Sequence, residues 1–344
     1  MTGGRAGPSI WVVSDGRAGI ERQALSLERA LREPERWAKI AHIRSDAHRA
    51  EPMRLQPSGP QLLLPADKWP APLNALPNDQ RALLQPPWPD VWIGSGRRSI
   101  PFSRQVKKWS DGKTLVVQTQ DPKVDLSAFD LVVPPLHDEI KGPNVFPILG
   151  PPTYFGAADV AEAESRFSDL TAHSDFKLLV SIGGNSKTHK MNGAKVAEIE
   201  DVLKRLAKNG YRLWITVSRR TPEVARAWFR VFAGDVGARF WESPEKDGPN
   251  PYLGFLAHCD AALVTEDSAN MLADPAWFGK PIHILRLDGG SPRFDRLHQG
   301  FIDRGAARWF EGLIDDWEYK PIREAERVAD EIVRMLLKRH PAPA

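Results

Sequence analysis

Five turns in this 344-residue chain combine small, polar and charged residues, and each turn directly follows a short apolar run. They begin at Ser14, Gly94, Gln118, Gly183 and Thr265. A turn that leaves a strand and enters a helix offers free backbone N–H groups and a positive helix end to an anion. These five turns are therefore the candidate sites for chemistry.

The first two turns place glycines beside arginines. Residues 14–19 read SDGRAG, and residues 94–99 read GSGRRS. Glycine lets the backbone approach a ligand closely, and guanidinium groups can clamp a phosphate or carboxylate with paired hydrogen bonds. The first turn lacks both the GxGxxG spacing and the P-loop lysine, so neither standard nucleotide motif applies. A structural interpretation stays open for both turns: Asp15 caps a helix beside the surface cation Arg17, and the paired arginines begin a solvated helix.

The third turn is a polar string, QTQDP, at residues 118–122. Its side chains would point to the same side as those of the first two turns, or the string is simply a strand end closed by an Asp-Pro turn. Further along the chain, His137 stands beside Asp138, as a base stands beside the carboxylate that orients it. Such pairs are also common on protein surfaces, so both interpretations stay open.

The fourth turn, GGNSK at residues 183–187, has the small residues, backbone donors, hydroxyl and cation of a phosphate cradle. A second polar turn, SRRTP at residues 218–222, follows the next predicted strand of the same domain. Two such loops on neighbouring strands favour a phosphate site more than either loop alone.

The fifth turn, TEDSANM at residues 265–271, is a dense cluster of carboxylates and hydroxyls at a strand end. Asp267 or Ser268 can cap the following helix, which is the structural interpretation. Asp274 follows one helical turn after Asn270 and shares its face. Carboxylates so placed can accept hydrogen bonds from ribose or sugar hydroxyls.

Short apolar runs alternate with amphipathic segments along most of the chain. Strands are predicted at residues 10–13, 91–93, 114–118, 131–133, 177–182, 212–217, 261–265 and 282–285. Helices are predicted at residues 21–33, 160–170, 194–208, 268–278 and 322–338, with one more that begins at Pro222 behind Thr221 as N-cap. The alternation predicts an α/β protein of two doubly wound Rossmann-like domains, hinged near residues 150–155 and facing a cleft.

Composition excludes several classes of protein. Hydrophobic residues make up 42% and charged residues 26%, as in a soluble globular protein, and no apolar run reaches the roughly 20 residues of a membrane span. A net charge of +3 does not predict nucleic-acid binding. The single cysteine, Cys259, excludes an internal disulfide and is expected in the core, which favours a cytoplasmic location. Ten of the 30 prolines lie within residues 52–89, which predicts an extended insertion without long helices or central strands.

Eight stretches within residues 10–285 together resemble the bacterial relatives of the plant elongated-mitochondria fission factor. They are WVVSDGRAGIERQ from Trp11, PDVWIGSGRRS from Pro89, QDP from Gln120, FDLVVPPLHD from Phe129, SIGGNSK from Ser181, SRRTP from Ser218, NPYLGFLAHCD from Asn250 and VTEDSANM from Val264. The resemblance implies a type B glycosyltransferase architecture. Residues 1–150 would then form the acceptor domain, with the proline-rich insertion at 51–89. Residues 151–320 would hold a nucleotide-sugar, and a helix in residues 321–344 would return to the first domain.

The same resemblance implies two sets of contacts. The nucleotide-sugar contacts would be Gly183, Gly184, Asn185, Ser186, Ser218, Arg219, Arg220, Thr265, Glu266, Asp267, Ser268, Asn270, Met271 and Asp274. The acceptor contacts would be Gly16, Arg17, Gly19, Ser95, Gly96, Arg97, Arg98, Gln120 and Asp121. No metal or cofactor is expected, because helix N-termini and cations can stabilise a departing diphosphate. Asp274-Pro275 stands where such folds commonly carry Glu-Ala, so the carboxylate is one methylene shorter here.

An inverting transfer needs a group that takes the proton from the acceptor hydroxyl. Asp15 is the expected catalytic base because it directly follows the first strand, and His137 is the second choice. We expect the protein to transfer a glycosyl group from a nucleotide-sugar without a metal ion. The expected location is the cytoplasm, either free or attached peripherally to the inner membrane surface. The acceptor is unidentified; a membrane-associated glycan or lipid is one class. The alternatives are a non-catalytic fission-type interaction protein and a nucleoside-diphosphate-sugar epimerase.

Overall fold

The computed structural model describes residues 5–172 and 175–341, and the chain divides into two compact units. Unit 1 consists of Met1–Tyr154 together with Arg323–Ala344, and unit 2 consists of Phe155–Ile322. Each unit is built on its own parallel β-sheet with helices packed against it. The α/β class with two parallel sheets, predicted from the sequence, is confirmed.

Unit 1 contains short strands separated by helices and turns. Its strands are β1 (Arg5–Ala6), β2 (Ile10–Ser14), β3 (Arg44–Ser45), β4 (Met53–Arg54), β5 (Val91–Ser95), β6 (Leu115–Thr119) and β7 (Leu131–Val133). Its first helices are α1 (Ala18–Leu31), α2 (Pro34–Ile40), α3 (Asn78–Leu83) and α4 (Ile100–Trp109). Every residue of β2, β5 and β6 is buried, as is typical of parallel strands covered on both faces.

The main sheet of unit 1 has five parallel strands in the order β4-β2-β5-β6-β7. In order of sequence this is 2-1-3-4-5, so the strand order reverses between β2 and β5. Ser14 at the end of β2 pairs with Ser95 at the end of β5. The turns at residues 14–19 and 94–99 therefore leave the sheet side by side, at the point where sheets of this kind bind ligands.

The proline-rich residues 51–89 form only short elements along unit 1. They contain the edge strand β4, three 3₁₀ turns (Pro60–Leu63, Ala66–Lys68 and Pro72–Ala75) and the six-residue helix α3. The indole of Trp69 anchors the segment, with its ring edge-to-face on Phe102 of α4 at 6.3 Å between centroids. Proline cannot donate to a sheet ladder, which explains why the only strand of this segment lies at the edge.

Unit 2 has a six-stranded parallel sheet. The strands of this unit are β8 (Lys177–Ile182), β9 (His189–Lys190), β10 (Arg212–Val217), β11 (Arg239–Trp241), β12 (Ala261–Thr265), β13 (Ile282–Leu285), β14 (Asp288–Gly289) and β15 (Ala307–Trp309). Its helices are α5 (Ala157–Arg166), α6 (Gly193–Lys208), α7 (Glu223–Val236), α8 (Pro244–Asp247), α9 (Tyr252–His258), α10 (Ala269–Phe278) and α11 (Pro292–Asp303). The sheet order is β11-β10-β8-β12-β13-β15, which reads 3-2-1-4-5-6 along the sequence and reverses between β8 and β12.

Four of the eight strands of unit 2, namely β8, β10, β12 and β13, lie where the apolar runs predict them, and the main error concerns Thr221. Helix α7 begins at Glu223 with Pro222 as its N-cap residue, so Thr221 is not the N-cap. The Thr221 hydroxyl instead donates to the carbonyl oxygen of Ile182 at 3.2 Å, because the turn folds back onto the end of β8. The segment after β13 also contains elements that the sequence did not predict, namely β14, α11 and β15.

The last helix, α12 (Glu324–Arg339), belongs to unit 1 and packs against α1 and α2. Ile332 and Leu336 on its apolar stripe are completely buried. Two ion pairs flank this contact: Arg36 Nε lies 2.7 Å from Asp330 Oδ1, and Arg339 Nη2 lies 2.8 Å from Asp130 Oδ1. Burial of the stripe fixes α12 to the rest of unit 1.

Replacing Ile332 by Ala should lower the free energy of unfolding of unit 1 by about 2–5 kcal/mol, because a fully buried side chain leaves a cavity between α12 and α1. Lys338→Ala on the exposed face of the same helix is the matched control and should change it by less than about 0.5 kcal/mol. Urea denaturation followed by circular dichroism measures both values. Equal stability of the two variants would contradict the packing of α12.

Candidate functional site

Loops from three strands of unit 2 meet at the reversal point between β8 and β12, and the carboxylate of Asp267 joins them. This side chain has no solvent exposure. Its Oδ1 accepts from the Thr265 hydroxyl at 2.7 Å, and its Oδ2 accepts from the Gly184 N–H at 3.0 Å and from Arg220 Nη2 at 2.8 Å. A buried carboxylate is tolerated when a cation and hydrogen-bond donors surround it in this way.

The two glycines after β8 are required by the neighbouring loops. A Cβ on Gly183 would lie 2.0 Å from Asp267 Oδ1, and a Cβ on Gly184 would lie 2.2 Å from the carbonyl oxygen of Arg220. Their N–H groups are also used inside the protein, since Gly183 donates to the Thr265 hydroxyl at 2.7 Å and Gly184 donates to Asp267. Any phosphate at this loop would therefore meet side chains instead of these two N–H groups.

Side chains on the rest of the loop after β8 mainly shape it. Asn185 Oδ1 accepts from the Met191 N–H at 2.9 Å, while the Asn185 N–H donates to the Arg220 carbonyl oxygen at 3.1 Å. Ser186 Oγ accepts from the backbone N–H of His189 at 3.0 Å. Asn185 is nevertheless exposed, so its amide remains accessible to a ligand.

The two arginines after β10 differ in how they are held. The Arg220 guanidinium lies on the Asp267 carboxylate and within 3.4 Å of the Asp267 carbonyl oxygen, with 40% of its side chain exposed. Arg219 is exposed and has no ion pair among the residues that the structure describes. Ser218 supports the turn, because its Oγ accepts from the Arg220 N–H at 3.1 Å. The structure thus presents one anchored and one free guanidinium at this strand end.

Some residues of the fifth turn and of α10 stabilise the fold, whereas others are partly accessible to a ligand. Ser268 caps α10, with its Oγ accepting from the Met271 N–H at 3.4 Å. Asn270 and Met271 are half-buried on the first turn of α10. Asp274 is buried, and its Oδ2 accepts from the Tyr252 hydroxyl of α9 at 3.1 Å. The shorter carboxylate noted in the sequence is therefore engaged in joining two helices.

Two buried histidines near Glu266 have no counterpart in the sequence prediction. Glu266 Oε1 accepts from the Leu287 N–H at 2.6 Å, and burial raises the pKa of this carboxyl group. His298 Nε2 lies 2.9 Å from the Glu266 carbonyl oxygen, and burial lowers its pKa. His189 is wholly buried with its ring edge-to-face on Phe294. Nothing in the spacing of these histidines signals the cluster, because they come from β9 and α11.

Unit 1 contains a pocket of about 350 Å³ beyond the carboxyl ends of its central strands. Five of the predicted acceptor contacts line it: Arg17, Gly96, Arg97, Gln120 and Asp121. Gln118 at the end of β6 also lines it, and its Oε1 is buried without a hydrogen-bond partner among the described residues. Asp121 Oδ1 accepts from the Lys123 N–H at 2.8 Å, and its carboxylate forms an ion pair with the Lys123 ammonium group.

Asp15 lies beneath Arg17 at the edge of this pocket. The Arg17 guanidinium binds the Asp15 carboxylate through Nη2 at 2.7 Å and Nε at 3.1 Å. This hydrogen bonding raises the pKa of Arg17, which therefore stays charged. The Asp15 side chain is 4% exposed and that of Arg17 is 65% exposed. Gly96 has a φ of +83°, and a Cβ there would lie 2.5 Å from Asp15 Oδ2, so the carboxylate depends on a glycine at this position.

Four other candidate residues of unit 1 do not line this pocket. Ser95 Oγ donates to the Ile20 carbonyl oxygen at 2.8 Å and is thereby part of the sheet end. The Gly16 N–H donates to Ser14 Oγ at 3.1 Å, and Gly19 lies within the first turn of α1. His137 is buried with its Nε2 3.8 Å from Asp138 Oδ1, and it is not among the residues that line the pocket.

Within residues 5–172 and 175–341, no group of three His, Cys, Asp or Glu side chains is placed to hold a metal ion. No helix in the described part of the chain combines the length and apolar character needed to cross a bilayer. Cys259 is buried, and burial raises the pKa of its thiol to about 12, which disfavours the reactive thiolate.

Replacing Asp267 by Ala should lower the free energy of unfolding of unit 2 by about 3–5 kcal/mol, because it strands the Gly184 N–H and removes the partner of Arg220. Ser268→Ala removes only the cap of α10 and should cost about 1 kcal/mol. Chemical denaturation of the two variants measures the difference. A smaller loss for Asp267→Ala than for Ser268→Ala would be inconsistent with Asp267 as the residue that joins the loops.

Solved structures that are similar over nearly the whole of this chain include a UDP-GlcNAc 2-epimerase and a plant protein complexed with UDP. UDP-GlcNAc 2-epimerase from Methanocaldococcus jannaschii is similar with a TM-score of 0.51 at 11% identity, covering 95% of this chain and 99% of that chain. Arabidopsis thaliana UGT89C1, solved with UDP, has a TM-score of 0.50 at 14% identity, covering 96% of this chain and 93% of its own. The fold is the type B fold that glycosyltransferases and UDP-GlcNAc epimerases share.

Similarity in sequence identifies the family. Mitochondrial fission protein ELM1 from Arabidopsis thaliana is 26% identical over 297 residues, which cover 78% of this chain and 69% of that protein. An uncharacterized protein from Rickettsia prowazekii is 25% identical and covers 96% of this chain and 99% of its own length. The family described as mitochondrial fission ELM1 matches residues 18–336. The resemblance predicted from the sequence motifs is confirmed, and the chain belongs to the mitochondrial fission ELM1 family.

Proposed function

We propose that this protein is a glycosyltransferase that binds a nucleotide-diphosphate-sugar at the reversal point of the unit 2 sheet. One observation carries the proposal: the loops after β8, β10 and β12 converge on Asp267 at that point. Open α/β sheets bind ligands beyond the carboxyl ends of their strands where the strand order reverses. UGT89C1, which shares the type B fold, was solved with UDP.

Arg220 is the proposed clamp for the diphosphate. Asp267 holds its guanidinium on one side, so the conformational entropy of the side chain is already reduced before a ligand arrives. The planar guanidinium retains an exposed edge with which to form paired hydrogen bonds to phosphate oxygens. Together with the N-terminus of α10, Arg220 would stabilise the departing diphosphate, and this scheme needs no metal ion.

The remaining contacts to the nucleotide-sugar are proposed for side chains that solvent can reach. Asn185 and Asn270 are accessible and carry amides that can bind ribose or sugar hydroxyls. Glu266 is more than nine-tenths buried and already accepts the Leu287 N–H, so its part is to shape the floor of the site. Thr265 and Asp274 support the site in the same way through their internal hydrogen bonds.

The acceptor is proposed to occupy the unit 1 pocket, with Asp15 as the base. Asp15 follows β2 directly, at the reversal point of the unit 1 sheet. Arg17 covers its carboxylate, so Arg17 has to swing aside before Asp15 can take a proton from an acceptor hydroxyl. An exposed arginine beside the smaller residues of this turn has room for that movement.

Epimerisation of a nucleotide-sugar is the second candidate, since the UDP-GlcNAc 2-epimerase of the same fold would use the same nucleotide site. The two reactions differ in their products. An epimerase changes the sugar while it remains on the nucleotide, whereas a transferase releases the nucleoside diphosphate. Analysis of a UDP-sugar after incubation with the protein, by chromatography for free UDP and for a new UDP-sugar, distinguishes them.

Arg220→Lys should weaken UDP binding by about tenfold or more, because lysine keeps the charge but loses the paired hydrogen bonds, each worth roughly 1.5–3 kcal/mol. Arg219→Lys is the matched control, since Arg219 has the same charge and no anchor, and should change affinity little. Isothermal titration with UDP, and with other nucleoside diphosphates where UDP does not bind, gives the dissociation constants. Absence of binding by every nucleoside diphosphate would favour a non-catalytic interaction protein.

Asp15→Asn should leave nucleotide affinity unchanged and lower turnover by about 10²–10⁴-fold, the usual contribution of a general base. Release of nucleoside diphosphate from the donor measures turnover, and Asp111→Asn, at an exposed carboxylate elsewhere in unit 1, is the control. Full activity of Asp15→Asn would favour a mechanism without a protein base, because His137 is buried and does not line the pocket. Loss of nucleotide binding in this variant would mean that Asp15 only shapes its loop.

A further inference from the structure

The loop that follows β6, residues 120–123, contains backbone strain. Gln120 has a φ of +65° and Lys123 has a φ of +56°. Only four residues other than glycine have a positive φ within residues 5–172 and 175–341, and two of them lie in this loop. The left-handed conformation is unfavourable for a residue that has a Cβ, and a glycine would remove the cost. Strain of this kind persists where the residue is needed for another reason.

Local structure explains the conformation of Lys123 but not the glutamine at residue 120. Asp121 Oδ1 accepts the Lys123 N–H at 2.8 Å, and the intervening Pro122 has a fixed φ, so these three residues form a closed turn. The Gln120 N–H donates to the Val133 carbonyl oxygen at 2.9 Å, which extends the pairing of β6 with β7. A glycine would make the same backbone hydrogen bond without strain. The glutamine side chain is therefore not required by this backbone.

The Gln120 side chain is held in a way that leaves one polar atom for a ligand. Its Nε2 donates to Oε1 of Gln23 on α1 at 3.1 Å, and Gln23 is 9% exposed. An amide has two donor and two acceptor positions, so this contact uses one of them. Gln120 Oε1 has no partner among the described residues, yet it is not one of their buried unpaired atoms, so solvent reaches it. Because Gln120 lines the unit 1 pocket, this oxygen can accept a hydrogen bond from a ligand there.

The unit 1 pocket combines the kinds of surface that a sugar ring presents in reverse. Its volume of about 350 Å³ is at the lower end of the roughly 300–1,000 Å³ of small-molecule sites. Pro65 and Val124 line it and offer apolar surface to the C–H groups of a ring. A sugar hydroxyl both donates and accepts, so it matches the Gln120 oxygen as acceptor and the exposed Arg97 guanidinium as donor.

We propose that the acceptor of this protein is a sugar and that Gln120 is the residue that selects it. The Gln120 oxygen accepts a hydrogen bond from a sugar hydroxyl, and Gln23 holds the amide in position. The left-handed backbone is retained at a glutamine because a glycine would relieve the strain but lose this contact. This inference rests on the proposed function for the word acceptor, whereas the binding site itself requires only unit 1.

The test measures stability and sugar binding in the same variants of the full chain. Gln120→Gly should leave the urea midpoint of unfolding unchanged or raise it, because it removes strain. The same variant should weaken binding of methyl β-D-glucopyranoside by about threefold to tenfold, as expected for the loss of one hydrogen bond. Asp111→Gly is the matched control, since Asp111 has a φ of +50° and does not line the pocket, and it should leave binding unchanged. Ligand-observed NMR titration gives the dissociation constants.

Two further comparisons test the hydrogen bond itself. Tetrahydropyran has the ring of the sugar without its hydroxyl groups, so it should bind at least about tenfold more weakly than the glucoside. Gln23→Ala leaves the Gln120 amide in place but removes its anchor. This variant should weaken the glucoside by about twofold to fourfold, which is less than the effect of Gln120→Gly, because the amide must then be ordered by the ligand.

Unchanged glucoside binding in Gln120→Gly would overturn the proposal, and a lowered urea midpoint beside it would make Gln120 a structural residue. Equal binding of the glucoside and tetrahydropyran, or no binding of the glucoside by the unaltered chain, would overturn it as well. The titration contains no nucleotide, so its failure leaves the UDP result with the Arg220 variants untouched. Failure of UDP binding would in turn leave a sugar site without a transfer reaction.

Discussion

A buried carboxylate at the end of β12 determines the shape of the candidate site in unit 2. Asp267 can lie there only because the Thr265 hydroxyl, the Gly184 N–H and the Arg220 guanidinium surround it within 2.7–3.0 Å. The arrangement in turn requires glycine at residues 183 and 184, since any Cβ would overlap Asp267 or the backbone of Arg220. One ionised group thus links the loops of three strands, and the site is organised before any ligand binds.

Unit 1 uses the same construction with different residues. The hydroxyl of Ser14, the last residue of β2, donates to Glu21 Oε2 at 2.6 Å, and Arg54 Nη2 lies 2.7 Å from Glu21 Oε1. The Arg54 hydrogen bonds hold the pKa of Glu21 below its usual range. In both sheets a hydroxyl at a strand end and an arginine from another segment share one carboxylate at the reversal point. This explains how turns rich in glycine and polar residues can be well defined without apolar side chains of their own.

The sequence predicts the parts of this design that depend on neighbouring residues. Buried parallel strands are continuous apolar runs, so those at residues 177–182 and 212–217 were located to the residue. The turns after them were found because glycine, serine and arginine interrupt the pattern. Contacts between distant segments were not predictable in this way, because no periodicity relates Thr221 to the end of β8 or His298 to Glu266. The burial of Asp274 could not be predicted from the sequence either, because it depends on the hydrogen bond with Tyr252 of another helix.

A polar side chain that has a hydrogen-bond or ion-pair partner inside the protein can be explained by folding, whereas one without such a partner points to a ligand. Asp267, Thr265 and Asp274 have internal partners, and a protein with no ligand would still need them in order to fold. Arg97 and Arg98 follow β5 without an ion pair in the described residues, so the fold gives no reason for cations there. Exposed arginines at helix starts also oppose the helix dipole, a small cost that an anionic ligand would reverse. The positive charges that folding does not use lie at the reversal point of the unit 1 sheet, where ligands of α/β sheets bind, and this coincidence favours a binding function over a purely structural one.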